Sequence, residues 1–204
     1  MQVKTDNLKN TTIDLIRHGE PEGGTRFRGW KNDPLSAKGW QQMRQATAGH
    51  TPWDLIITSP LVRCSAFAEE LSERTGIPVV KEDRLKEIGF GQWEGRTSDE
   101  LYAESPEVLN DFWRSPAENP PPGGEPMVLF QSRVESAWQD IQIHHEGRHI
   151  LVVAHGGVNR FIIGKVLGIP IRNLFRMEYP FAGISRIRVE KGYARLVFHC
   201  GLLG

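Results

Sequence analysis

Apolar residues in this chain fall into short β-branched runs, separated by longer stretches with three- and four-residue spacing. TTIDLI (11–16), WDLIIT (53–58), PVVKE (78–82) and HILVVA (149–154) have the length and content of buried strands. Between them lie helical patterns. Residues 37–48 follow Ser36, a residue type that caps helices by accepting a free backbone N–H. Residues 61–75 stop at Gly76 with Pro78 beyond, and residues 127–146 carry an apolar stripe that ends at Gly147. A shorter helix, 157–167, is closed by Gly168 and Pro170. The last stretch reads as two strands, GISRIRVE and ARLVFH, turned at Lys191-Gly192. Strand alternating with helix predicts an α/β sandwich with a mostly parallel sheet and an antiparallel edge.

One segment interrupts the alternation. Residues 84–126 hold two weaker helical pieces, near 98–103 and 105–114, and then SPAENPPPGGEP, whose five prolines and two glycines cannot sustain a regular element. The pieces are too short to fold alone, so the expectation is an insertion that caps one end of the sheet within a single domain, 1–204.

Composition narrows the class. With 204 residues the chain can bury a sizeable core. Lys plus Arg and Asp plus Glu are equal at 25 each, and no long basic face is visible, which argues against nucleic acid as a partner. Two cysteines, Cys64 and Cys200, are too few for a disulfide framework and fit a reducing compartment. The first ten residues are polar and no run reaches membrane-span length, so a soluble, cytoplasmic protein is expected, with no membrane partner. A homodimer stays open.

The chemistry gathers at strand ends. In open α/β sheets ligands bind beyond the carboxyl ends of the strands. Strand 11–16 ends in Arg17-His18-Gly19, strand 149–154 ends in His155-Gly156, and strand 53–58 passes through Ser59-Pro60 into a helix that carries Arg63 on its first turn. Glu87 approaches from the glycine-punctuated loop LKEIGFGQWEG (85–95). Two guanidinium forks match phosphate oxygens. The helix starts near Arg63 and after Gly156 would add backbone donors to an anion, and Gly19 would let the backbone approach a phosphate. A neutral histidine can act as nucleophile while a carboxyl group protonates the leaving oxygen. Taken singly, His18, Arg17, Arg63, Glu87 and His155 each have an ordinary structural reading; their convergence favours phosphoryl transfer.

Other motifs point elsewhere or nowhere. A metal at His18 and His155 is disfavoured, because no further ligands have metal spacing and two arginines would repel a cation. Neither GxxxxGK[ST] nor GxGxxG occurs, and Ser59 lacks a G-x-S-x-G setting. Cys64 reads as a small buried helix residue rather than a thiolate nucleophile.

LIRHGE (15–20), SPLVRCSAFAE (59–69), LKEIGFGQWEG (85–95) and VVAHGGV (152–158) together resemble the histidine phosphatase, or phosphoglycerate mutase-like, superfamily. The resemblance covers nearly the whole chain. It implies a three-layer α/β/α sandwich with a mostly parallel central sheet and one antiparallel edge strand. It also implies that His18 carries the phosphoryl group, that Arg17, Arg63 and His155 hold it, that Glu87 is the acid/base, and that no metal or organic cofactor takes part. Glu20 and Gly156 enter as substrate-binding positions. Within the superfamily, RHGEPEGGTRFRGW, GFGQWEG and PPGGE followed by SRVESAW look like α-ribazole-5′-phosphate phosphatases. The partner is then a small phosphate monoester, with Arg26 and Arg28 at the mouth of the site. Phe27 and Trp30 either offer stacking surface or pin the loop. A broad-specificity or sugar-phosphate phosphatase is the alternative. A mutase is less expected, since the segment before PPPGG has a single Arg114 and the loop after Glu20 lacks asparagine. A phosphate-binding module without catalysis is the remaining reading.

Overall fold

The computed structural model describes residues 10–49, 51–201 and 203; most of the polar N-terminal segment therefore lies outside the described residues. The strands are β1 (Thr11–Arg17), β2 (Leu55–Thr58), β3 (Val79–Lys81), β4 (His149–Ala154), β5 (Ile184–Glu190) and β6 (Tyr193–Gly201). They form one sheet in the order β3-β2-β4-β1-β5-β6. The first four are parallel, β5 runs antiparallel to β1, and β6 pairs antiparallel with β5. The edge is thus a hairpin in which β5 alone opposes the central strands.

Helices α1 (Ala37–Ala46), α2 (Val62–Thr75), α5 (Met127–His144) and α6 (Gly156–Leu167) cover the two faces. Alternation along the strands decides which face each residue meets. Ile13, Leu15, Ile150 and Val152 pack against Phe130, Val134 and Trp138 of α5 and Ile162 of α6. Ile16, Leu151 and Val153 pack against Met43 of α1 and Phe67 and Leu71 of α2. Both faces are apolar, as a central parallel sheet requires, and the result is the three-layer sandwich. The start and stop residues act as expected: the Ser36 hydroxyl accepts from Gly39 N at 3.0 Å, and Gly76 adopts the left-handed φ of 73° that ends α2.

The segment between β3 and α5 holds α3 (Ser98–Glu104) and α4 (Pro106–Arg114), with single 3₁₀ turns at Asp83–Leu85 and Gly91–Trp93. Thr97 and Glu100 form a reciprocal capping box at the start of α3, and Pro106 opens α4 where its missing N–H costs nothing. The segment has its own aromatic core: Trp93, Leu101, Leu109 and Phe112, joined by Phe27 from the loop after β1 and by Phe175. No helix among the described residues is long and apolar enough to cross a membrane.

Candidate active site

A cleft of about 250 Å³ opens at the carboxyl ends of the parallel strands, and Arg17, His18, Arg63, Glu87, Gly156 and Arg160 are among its lining residues. β1 delivers Arg17 and His18 together because it ends there: His18 N still donates to Ala154 O of the neighbouring strand at 3.0 Å, after which the chain turns away. Gly19 has a packing reason. A Cβ there would lie 2.2 Å from Gly39 O, so the missing side chain admits the first turn of α1 against this bend.

His18 is 5 % exposed, and its Nδ1 lies 2.8 Å from Gly19 O. A carbonyl can only accept, so Nδ1 carries the proton and Nε2 keeps its lone pair. Burial holds the His18 pKa well below its usual 6.5, helped by the charges of Arg63 and Arg17. The imidazole is therefore neutral at neutral pH. His155 lies beneath it, fully buried, with ring centroids 5.2 Å apart in an edge-to-face arrangement. Its pKa is also depressed, first by burial and then by Arg63. Its Nε2 shares a 2.7 Å hydrogen bond with Ser59 Oγ.

The arginines are oriented by backbone carbonyls. Arg17 donates from Nη1 to Tyr179 O, and its guanidinium stacks 4.1 Å from the centroid of Phe181. Arg63, 1 % exposed, donates from Nη1 to Lys31 O at 2.8 Å and from Nη2 to Gly29 O at 2.7 Å. Burial lowers the pKa of both, Arg17 to about 10, so both remain charged at neutral pH. The Nε atoms of both are buried without a partner among the described protein atoms. Buried donors of this kind are normally satisfied, and both arginines line the cleft in which an anion would sit.

Among the described residues, Glu87 is the one carboxylate lining the cleft. Its Oε2 accepts from Gly157 N at 3.0 Å and its Oε1 from Ile88 N at 3.0 Å. Gly157 permits this approach, since a Cβ there would meet Oε1 at 2.3 Å. The loop carrying Glu87 is held from outside the cleft. Arg133 on α5 donates to Arg84 O, Lys86 O and Glu87 O at 2.6 to 2.9 Å. It also grips Glu125 through two hydrogen bonds of 2.7 Å. Glu125 pairs its backbone with Gly89 O, so Arg133 ties the two ends of the 84–126 segment together. Trp30 adds an indole N–H to Glu87 O at 2.9 Å.

The remaining predicted residues divide. Arg26 borders the cleft and donates to Gly23 O and Gly95 O. Arg28 borders it too, but its 6 % exposed side chain donates to Glu22 O, Gly24 O and Asp33, which ties its own loop together. Glu20 does not line the cleft; its carboxylate pairs with Lys38 at 2.8 Å. Phe27 both lines the cleft and packs on Phe90, Trp93 and Trp113, whereas Trp30 pins the Glu87 loop. The start of α2 offers less than expected: Val62 N is taken by Asn32 Oδ1 at 2.7 Å and Leu61 N by Ser59 Oγ. Cys64 is fully buried and its thiol is pushed up to about 12 by burial, in keeping with a packing role.

Sequence reasoning missed Ser59 as a partner of His155, Arg133 and Glu125 as holders of the Glu87 loop, and Arg160, Trp113 and Phe175 in the cleft wall. For Arg160 a signal existed, since it lies four residues after Gly156 on the same helix and therefore on the same face. Among the described residues, no group of three or more His, Cys, Asp and Glu is placed to hold a metal ion.

An α/β sandwich with two buried neutral histidines, two carbonyl-anchored arginines and one carboxylate at its strand ends defines an anion-binding protein built for phosphoryl chemistry. Comparison with known proteins gives that class its family. The histidine phosphatase superfamily (branch 1) matches residues 13–200, and the chain belongs to it. Putative phosphoserine phosphatase 2 of Hydrogenobacter thermophilus is 30% identical over 188 residues, 90% of this chain and 92% of that protein. Among solved structures, YhfR of Bacillus stearothermophilus superposes with a TM-score of 0.85 at 30% identity, over 95% of this chain and 98% of that one. A putative α-ribazole-5′-P phosphatase of Escherichia coli superposes with a TM-score of 0.82 at 27% identity, again over 95% and 98%.

Proposed function

We propose that the protein is a phosphomonoesterase that works through a phosphohistidine on His18, and that its substrate is α-ribazole 5′-phosphate. The observation that carries the reaction type is the neutral His18 with Nδ1 committed to Gly19 O, sharing its cleft with two carbonyl-anchored arginines, Arg17 and Arg63, and with Glu87. His18 Nε2 attacks phosphorus as the bond to the ester oxygen breaks. Arg17 and Arg63 hold the phosphoryl oxygens, whose charge they match better as it spreads in the transition state. His155, supported by Ser59, backs the His18 ring. Glu87 gives its proton to the departing alkoxide, then takes one from the water that attacks the phosphohistidine, and inorganic phosphate leaves.

The substrate assignment draws support from the similarity to the α-ribazole-5′-P phosphatase and from the aromatic wall of the cleft. The segment 84–126 acts in this reading as the cap that carries that wall. A second reading is a phosphatase for esters with acidic leaving groups. Arg160 borders the cleft, and a relative of comparable identity is named a phosphoserine phosphatase.

The test has two parts. Wild type incubated with labelled phosphate ester and quenched is expected to yield an acid-labile, alkali-stable phosphoprotein that is missing from His18→Ala; a phosphorylated His18→Ala protein would exclude the mechanism. A panel of α-ribazole 5′-phosphate, O-phosphoserine and sugar phosphates then ranks substrates. A preference for α-ribazole phosphate below about tenfold in kcat/KM, roughly 1.4 kcal/mol, favours a generalist.

A further inference from the structure

The cleft extends beyond the phosphate-holding residues onto rings that the reaction does not use. Phe27, Phe90, Trp113 and Phe175 all line it. Trp113 packs against Phe27, Phe112 and Phe175 with centroids 5.9, 4.9 and 5.6 Å away. Phe112, 1 % exposed, anchors the group from below. Contacts on three sides fix the indole, yet Trp113 remains 44 % exposed at the end of α4. A rigid aromatic surface, partly open and bordering a polar cleft, is pre-ordered for a planar group and costs little entropy when one binds. At about 250 Å³ the cleft is small for a whole nucleotide. A substrate with a ring system would therefore keep its phosphate and sugar inside and lay the ring on the exposed indole.

We infer that Trp113, with Phe27 and Phe175, forms a stacking platform for an aromatic base on the leaving group, and that Trp113 sets a preference for aryl riboside phosphates over phosphates of small or acidic alcohols. This rests on the phosphatase reading above and adds to it the residue that selects the leaving group.

The test uses a matched pair, α-ribazole 5′-phosphate and ribose 5-phosphate. Both release a 5′-alkoxide, so both make the same demand on Glu87, and they differ in the aryl base. Wild type is expected to favour the aryl member by tenfold or more in kcat/KM. Trp113→Ala should cut that ratio about tenfold, the size of one base–aromatic stack, and Trp113→Phe should restore most of it. Trp113→Leu, which keeps apolar bulk without a π-face, should behave like the alanine variant. Calorimetric affinities of the same pair for His18→Ala and for His18→Ala/Trp113→Ala give the ratio without turnover. A failure of hydrolysis, which would overturn the phosphatase reading, thus leaves the platform measurable. A ratio that stays within twofold after removal of the indole, in both kinetics and binding, overturns the platform. So does a wild-type preference for O-phosphoserine over both members, which would assign the leaving-group side to Arg160.

Discussion

The floor and the wall of the cleft are built by opposite means. On the floor, Arg17, His18, Arg63 and His155 come from strand ends and the first turns of helices, and all but Arg17 are under a tenth exposed. Each of the four has at least one hydrogen bond to a carbonyl or a hydroxyl that sets its direction. The wall comes from the segment between β3 and α5, from the loop at Phe27 and from the 3₁₀ helix Ile171–Arg176 that carries Phe175, and rings fix it by packing on one another. Hydrogen bonds to carbonyls allow one geometry, which suits a phosphoryl group whose shape never varies. Aromatic packing tolerates substitution and suits the part of the ester that differs between substrates.

The largest effect is expected at His18, the proposed nucleophile. His18→Ala should lower turnover at least about 10³-fold on every ester, because His155, the other histidine of the floor, is fully buried, has Nε2 bound to Ser59 Oγ and does not line the cleft. Steady-state kinetics on two chemically unlike esters checks this; loss on one ester only would move the nucleophile elsewhere. Glu87→Gln comes next, with a loss of about 10²- to 10⁴-fold for alkyl phosphates. The loss should be much smaller for p-nitrophenyl phosphate, whose leaving group needs little protonation, and equal losses would take the acid role from Glu87.

Arg133→Lys probes the strut between the two regions. One ammonium cannot reproduce three carbonyl contacts together with a two-point grip on Glu125. We expect a loss of about tenfold to a hundredfold, again larger for alkyl esters than for p-nitrophenyl phosphate, since the variant misplaces Glu87 rather than His18. A uniform loss on both esters would mean a general structural role.

The smallest effect is on acid stability. His18 and His155 are buried neutral with pKa values depressed below 6.5, while in the unfolded chain each binds a proton near that value. Below pH 6.5 the unfolded state therefore holds more protons than the native state, and stability falls as pH falls. Each histidine contributes a slope of up to about 1.4 kcal/mol per pH unit. Urea unfolding at pH 7.0, 6.0 and 5.0 should show a shallower decline in His18→Ala than in wild type, and parallel declines would show that His18 is not buried neutral.

Much of the floor is legible in the primary structure because its signals are local. Apolar runs that stop at Arg17-His18-Gly19 and at His155-Gly156 mark where strands end, and the residues at those stops must sit at one edge of a parallel sheet. Glu87 is visible as a carboxylate near the start of a loop punctuated by Gly89, Gly91 and Gly95. Little of the wall can be seen this way. Trp113 reads as one residue of an amphipathic helix, and its neighbours Phe27 and Phe175 are 86 and 62 residues away in sequence. Glu20 and Arg28 show the converse: both have suitable chemistry near His18, yet Lys38 takes one and the carbonyls of Glu22 and Gly24 take the other.

By itself, then, the sequence determines the order of elements, the parallel sheet and the set of groups at its carboxyl edge, because strand period, helix caps and glycine stops act over a few residues. Tertiary structure alone decides which charged groups remain free to meet a ligand and which are tied to backbone carbonyls, and which rings face the cleft. Those outcomes depend on contacts between residues far apart in the chain, where burial removes water as the competing partner and a hydrogen bond or a ring contact becomes selective.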